Sequence, residues 1–310
     1  MKILLLGANG QLGQTFLSHG GLSARGELVA ASRDGSLVNG KRGAVGDLAD
    51  VDGLTALLDE QRPDVIVNAA AYTAVDKAET DEDAASLVNG QAVGVVGRWA
   101  ARNDALVIHY STDYVFDGEA SRPYPEDAAV APAGAYGRSK LAGETALRDS
   151  GAAHFIFRTA WVYSPVGHNF LRTMLRLGAD RDQLSVVADQ QGTPTDTVLI
   201  VDATLAALDH WLADKSSRDA VQGTYHLTAT GTTTWHGFAE AIFQGATTRG
   251  LLARAPVIKP ITTSEFPTPA RRPSYSVLDN GRFARTFAYA FPHWTAGVDT
   301  TLATLAQSTD

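Results

Sequence analysis

Four residues near the middle of the chain carry side chains that can handle a proton together. Ser111 and Thr112 supply hydroxyls, Tyr136 a phenol and Lys140 an ammonium. Tyr136 and Lys140 stand four apart in AYGRSKLAGE, and on a helix positions i and i+4 lie one above the other. Ser111-Thr112-Asp113 follows an apolar run, Leu106 to His109, that reads as a buried strand. If the strand end meets a helix starting at about Tyr136, a hydroxyl, the phenol and the ammonium converge. Such a set suits giving a proton to a carbonyl oxygen while something else delivers hydride. Tyr-x-x-x-Lys alone also fits a solvated helix face, so the surrounding elements decide.

The strongest of these elements opens the chain. Ile3 to Leu6 is a short apolar run that suits a strand covered on both faces. Gly7-Ala8-Asn9-Gly10-Gln11-Leu12-Gly13 follows at once, and Gln11 to Leu17 reads as a helix. In a strand–turn–helix context the glycines acquire meaning. Gly7 allows the tight turn, Gly10 lets backbone approach a pyrophosphate, and Gly13 lets helix and strand pack closely. The helix N-terminus offers free N–H groups to phosphate. The second strand, Leu28 to Ala31, ends in Ser32-Arg33 where an NAD-preferring domain carries an acid. A hydroxyl and a guanidinium there favour the 2′-phosphate of NADPH, with NADH as the alternative. A solvated Arg33 beside Asp34 is the competing reading.

Composition narrows the classes. The chain has 310 residues, 45% hydrophobic and 19% charged, with a formal net charge of −8. That size allows one large α/β domain with a smaller lobe. No Lys/Arg run marks a nucleic-acid partner. There is no cysteine, hence no disulfide or thiolate metal site, which fits a cytoplasmic protein. The apolar start Ile3 to Leu6 is too short for a signal peptide, and no window reaches the about 18 apolar residues of a membrane span.

The remaining segments alternate in the same way. Gly46-Asp47-Leu48 precedes an acidic helix, Val51 to Glu60; Asp47 could accept from an adenine amino group, or a carboxylate could cap the helix near Asp50. Asp64 to Asn68 is a third buried strand. It leads into Ala69-Ala70-Ala71-Tyr72-Thr73, small residues that leave room for a cofactor. Glu82 to Asn103 reads as one long helix with a core stripe. His109 reads as a satisfied core histidine. Ala153 to Phe157 is a fifth strand, ending at Arg158 to Tyr163, where Trp161 walls a substrate pocket or fills the core. Later come a helix from His168-Asn169-Phe170 to about Leu177, a strand at Ser185 to Ala188 and a loop at Asp189 to Thr195. A helix over Leu199 to Leu212, a last sheet strand at Gly223 to Leu227 and a helix from Trp235 to about Phe243 complete the order. The proline-rich loop Phe266 to Pro273 carries Arg271 and Arg272.

These segments together resemble the extended short-chain dehydrogenase/reductases, and within them the reductases of keto sugar nucleotides. GANGQLGQ, RPDVIVNAAAYTAVDKAE, HYSTDYVFDG, YGRSKLAGE, FRTAWVYS, DQQGTPT, TGTTTWHGFA and PTPARRPSYSVLD carry the similarity almost end to end. The resemblance implies a Rossmann-type doubly wound parallel α/β sheet with a smaller, discontinuous C-terminal substrate lobe. The expected division is 1–165 plus about 198–228 for the dinucleotide, and about 166–197 with 229–310 for the sugar nucleotide. It implies Thr112, Tyr136 and Lys140 as catalytic hydroxyl, acid and lysine. Gly7, Asn9, Gly10, Gln11, Leu12, Gly13, Ser32, Arg33, Asp47, Leu48, Ala70, Ala71 and Tyr72 would line the cofactor, with Tyr136 and Lys140. Thr73, Val75, Thr112, Asp113, Trp161, Asn169 and Arg272 would face the substrate. The implied reaction is reduction of the C4 ketone of dTDP-4-dehydro-L-rhamnose, within dTDP-rhamnose biosynthesis. The Lys140 ammonium is expected to lower the phenol's pKa from its free value of about 10.

Two alternatives share the fold. An epimerase or dehydratase would recycle held NAD⁺, but a dehydratase wants Asp-Glu after the threonine and this chain has Asp113-Tyr114. A non-enzymatic dinucleotide-binding subunit would have no need of the Tyr/Lys pair. Some members of the resembled group are dimers bridged by Mg²⁺ through acids. Here Gln14-Thr15 and Thr195-Asp196-Thr197 lack an acid where a ligand is expected, with Asp196 left as a substitute, so the sequence does not support the metal. Monomer and homodimer both stay open.

Overall fold

Apolar runs of four to seven residues, bounded by turns, fold here into strands buried on both faces. In the structure, a computed structural model that describes residues 1–308, six strands of four to seven residues and a two-residue edge strand form one parallel sheet. They are β1 (Lys2–Leu6), β2 (Glu27–Ser32), β3 (Ala44–Val45), β4 (Val65–Asn68), β5 (Leu106–Thr112), β6 (His154–Thr159) and β7 (Gly223–His226). The spatial order is β7-β6-β5-β4-β1-β2-β3, and every neighbouring pair is parallel. The order reverses between β1 and β4, which places a crevice beyond their carboxyl ends.

Alternation along the strands splits the core in two. Ile3 and Leu5 join Phe16, Val67, Ile108, Phe155 and Phe157 on one face. Leu4 and Leu6 join Leu54, Leu58, Ile66, Trp99 and Val107 on the other. A third cluster, around Tyr163, Leu171, Phe238, Ile242, Phe243 and Trp294, binds the later helices together. Phe283 and Phe287, on the helix Gly281–Phe287, return to the first sheet face.

The expected elements are present, with four differences that matter. β5 runs on to Thr112, because Ser111 and Thr112 pair with Arg158 and Thr159 of β6. The long helix expected over Glu82 to Asn103 is broken by a π-helical turn, Leu87–Gln91, between Glu82–Ser86 and Ala92–Asn103. The helix expected to end near Phe243 extends to Thr248, capped by Thr234, which accepts the Gly237 N–H at 3.1 Å. A strand over Val257–Ile261, not read in the sequence, pairs with Gln183–Val187. Among the described residues, no helix is long and apolar enough to cross a membrane.

Candidate active site

β1 delivers the chain into Gly7, whose φ of 81° lies in the left-handed region that glycine adopts without strain. A Cβ there would stand 2.6 Å from the Ala70 nitrogen, and one on Gly13 would stand 2.2 Å from the Gly7 carbonyl oxygen. Those two glycines therefore close the turn. Gly10 is different: it is exposed, and its nearest neighbour to a Cβ is 3.3 Å away. It caps the helix Gln11–His19 without a side-chain bond. The result is a cradle of free N–H groups that a larger residue would fill, and it fits a dinucleotide pyrophosphate.

Around the cradle, several polar residues are already committed. Asn9 donates to the Ser36 carbonyl at 2.7 Å and accepts the Val38 N–H at 3.1 Å, tying the hairpin after β2 to the glycine turn. Ser32 is buried and donates to the same Ser36 carbonyl, while Arg33 is exposed. Asp47 accepts the Ala49 N–H in a local turn, and Asp50 caps the helix Val51–Gln61 by accepting from Gly53. Leu12 and Leu48 pack on the cores of opposite sheet faces, and Ala70 and Ala71 are half-buried beyond β4.

Thr112, at the end of β5, donates to Asp113 Oδ1 at 2.9 Å and accepts the Tyr114 N–H at 3.2 Å. The Tyr136 phenol lies near this hydroxyl, which favours its ionised form, and its ring meets Tyr114 edge-on at 5.6 Å between centroids. Thr112 and not Ser111 is thus the hydroxyl at the phenol. Burial pushes the Asp113 carboxyl up to about 6. Burial, and then the Asp113 charge, push the Tyr136 phenol well above its ordinary value. The expected lowering by Lys140 is therefore corrected. Lys140 turns inward, 2.6 Å from the Tyr110 carbonyl oxygen and 3.2 Å from His109 Nε2, and burial brings it down to about 8.

On the substrate side, the loops after β4 and before residue 274 meet. Arg272 donates to Asp76 at 2.6 Å and to the Tyr114 hydroxyl at 3.2 Å, and Asp76 accepts the Ala270 N–H. Val75 is half-buried and Thr73 exposed at this junction. A cavity of about 400 Å³ lies beside it, lined by Gly118, Asp189, Thr263, Phe266, Arg271 and Arg272. A larger cleft of about 730 Å³ lies between β2–β3 and the helix Val51–Gln61, away from Tyr136. Trp161 takes the uncommon φ of 48° and stacks on Trp235, 3.6 Å between centroids and 7° between planes. A Cβ on Gly192 would stand 2.3 Å from the Trp161 ring. Asn169 caps the helix Phe170–Asp180 and donates to Gln11 Oε1 at 2.8 Å, so these two side chains hold each other.

Some side chains that hold the site's elements together carried no sequence signal. Asn89, buried in the π-helical turn, bonds both backbone groups of Tyr72 and the Ser139 hydroxyl, linking the cofactor edge to the Tyr136 helix. Trp235 and Asp76 are others. Glu144, one turn beyond Lys140, accepts from Arg158 at 2.9 and 2.7 Å and anchors that helix to β6. Asp196 caps the helix Thr197–Ala213, and Thr15 bonds Thr197 at 2.7 Å. Among the described residues, no three acidic or histidine side chains are grouped to hold a metal ion.

Known proteins resemble the chain along its whole length. The dTDP-4-dehydrorhamnose reductase of Burkholderia thailandensis is 45% identical over 298 residues, 95% of each chain. That of Escherichia coli K12 is 41% identical over 309 residues, covering 100% of this chain and 99% of the other. The crystal structure of a dTDP-4-dehydrorhamnose reductase from Clostridium acetobutylicum matches with a TM-score of 0.86 at 35% identity, over 98% of this chain and 99% of that one. One from Bacillus anthracis, in complex with NADP, matches at 0.84 and 30% identity over the same shares. The RmlD substrate binding domain matches residues 1–307, and the chain belongs to that family.

Proposed function

We propose that this chain reduces the C4 ketone of dTDP-4-dehydro-L-rhamnose with a reduced nicotinamide dinucleotide, NADPH before NADH. The observation that carries the reading is one of place. The glycine cradle after β1 and the Thr112–Tyr136 pair after β5 share the carboxyl edge of one parallel sheet. When bound, the nicotinamide supplies the hydride.

The chain's own residues supply the rest. Gly7, Gly10 and Gly13 shape the pyrophosphate seat, with Gln11 and Leu12 opening the helix above it. Asn9 and Ser32 hold the hairpin that presents Arg33 to a 2′-phosphate. Asp47, Leu48, Ala70, Ala71 and Tyr72 border the adenine and nicotinamide halves. Thr112 and Tyr136 hydrogen-bond the ketone oxygen, and Tyr136 gives it a proton as it becomes an alkoxide. Lys140 orients the cofactor ribose. Thr73, Val75, Asp113 and Trp161 line the sugar, and Arg272 and Asn169 lie toward the nucleotide.

We assign the dinucleotide to 1–165 with about 198–228, and the sugar nucleotide to about 166–197 with 229–310. A cytoplasmic location agrees with a chain free of cysteine.

The test is incubation of purified chain with dTDP-4-dehydro-L-rhamnose and NADPH or NADH, with the product identified by mass and NMR. Net oxidation of the nicotinamide with formation of the C4 alcohol supports the reading. Stoichiometric NAD⁺ retained through purification, with sugar interconversion and no net oxidation, points instead to an epimerase.

A further inference from the structure

Lys140 is held differently from a hydrated ammonium. Its Nζ lies 2.6 Å from the Tyr110 carbonyl oxygen and 3.2 Å from His109 Nε2, and both Lys140 and His109 are buried. Which proton lies between Nζ and Nε2 follows from Asn68, directly opposite His109 in the β4–β5 ladder. Asn68 accepts the Ala70 N–H on Oδ1 at 3.2 Å. Its amide nitrogen is then the atom turned to His109 Nδ1, at 3.1 Å. An amide nitrogen only donates, so Nδ1 is the accepting nitrogen of the ring. Burial is the main influence that pushes His109 well below its ordinary value, so the ring is neutral. A neutral imidazole that accepts on Nδ1 carries its proton on Nε2. That N–H points at Lys140. An ammonium has donors only and meets it donor to donor, whereas an amine accepts it and still donates to Tyr110.

We propose that Asn68 and His109 form a tautomer-locked pair that presents an N–H to Lys140 Nζ and keeps Lys140 a proton-exchanging amine instead of a permanent cation. The relevance of this to catalysis rests on the placement of Lys140 at the reacting site; the pair itself does not. His109 touches no reacting atom and is a positioning residue that acts through Lys140.

The other charges around the pair are accounted for. Glu144, on the same helix, favours the ammonium, but Arg158 and Arg148 already bind its carboxylate. His154 on β6 adds a further push on His109. Tyr136, one turn before Lys140, faces Thr112, Asp113 and Tyr114. Burial is the main influence on Lys140, and an N–H aimed at its Nζ favours the amine in the same direction.

The test reads tautomer and titration by NMR, without turnover. Isotope-labelled histidine reports which ring nitrogen of His109 carries the proton; the proposal requires Nε2. Labelled lysine reports the Lys140 midpoint, assigned by its loss in Lys140→Met. That midpoint is expected near 8, and to rise by about one unit, tenfold in proton affinity, in His109→Phe. A His109 proton on Nδ1, or a midpoint unmoved in His109→Phe, overturns the proposal. If His109→Phe does not fold, the tautomer of the native chain decides alone. A chain with the expected tautomer and titration but no turnover upholds the pair and overturns the reductase reading.

Discussion

The Thr112 hydroxyl donates to Asp113 Oδ1 at 2.9 Å, beside the Tyr136 phenol. The Asp113 charge works against ionisation of the phenol.

A pH dependence follows from that relationship. Burial pushes Asp113 up to about 6. Below that value the carboxyl is neutral, the phenol is relieved of a nearby negative charge, and Tyr136 becomes the stronger acid. The reduction rate should rise as pH falls through about 6. Asp113→Asn should remove this inflection. A pH profile of kcat/KM on both proteins checks it, and an inflection retained in the variant counts against the assignment.

Cofactor preference should depend on Arg33. It is exposed at the end of β2, beside a hairpin that Asn9 and Ser32 hold in place. A charge-assisted bond is worth about 1.5–3 kcal/mol, so Arg33→Ala should raise KM for NADPH about 10- to 150-fold. KM for NADH should change little. Equal losses for both cofactors would show that Arg33 does not meet the 2′-phosphate.

Glu144 should matter for stability. Its buried carboxylate is pushed up by burial, but bonds from Arg158 outweigh this and hold it below its ordinary value. A group with a depressed folded pKa contributes stability that is present above its unfolded value, about 4.3, and lost as pH falls through the folded one. Glu144→Gln leaves Arg158 as a buried, uncompensated charge and should cost about 3–5 kcal/mol. Urea unfolding should show this at neutral pH, with the gap to the parent narrowing in acid.

Gly192 should set sugar affinity through the tryptophan stack. Its missing Cβ makes room for the Trp161 ring, which lies flat on Trp235. Overpacking costs about 1–3 kcal/mol. Gly192→Ala should therefore raise KM for the sugar nucleotide, by up to about 150-fold where the whole cost falls on the sugar-bound state. KM for NADPH should hold. A change in the cofactor constant alone would place Trp161 elsewhere in the reaction.

The sheet was legible where burial on both faces demands unbroken apolar runs, as at Ile3 to Leu6 and Asp64 to Asn68. It was less so where pairing overrides hydropathy. Ser111 and Thr112 extend β5 because β6 runs beside them. Val257–Ile261 carries Lys259 and Pro260 and has one partner strand, so it shows no pattern. The π-helical turn has no composition of its own. In the site, Gly7, Gly13, Thr112 and Tyr136 were readable because spacing within one motif constrains them. Asn68 and His109 are 41 residues apart, and Asp76 and Arg272 are 196 apart. Only the tertiary fold brings such pairs together. Lys140 shows the limit most clearly: helical spacing put it beside Tyr136, while its burial turned it toward His109.

The central claim is that Tyr136 protonates the ketone oxygen at a site that binds nicotinamide independently. The most direct measurement is single-turnover NADPH oxidation with dTDP-4-dehydro-L-rhamnose, for the parent chain and Tyr136→Phe, alongside NADPH affinity for both. The expected result is a loss of roughly 10²–10⁴-fold in the chemical step with affinity for NADPH nearly unchanged. Turnover by Tyr136→Phe at the parent rate would contradict it.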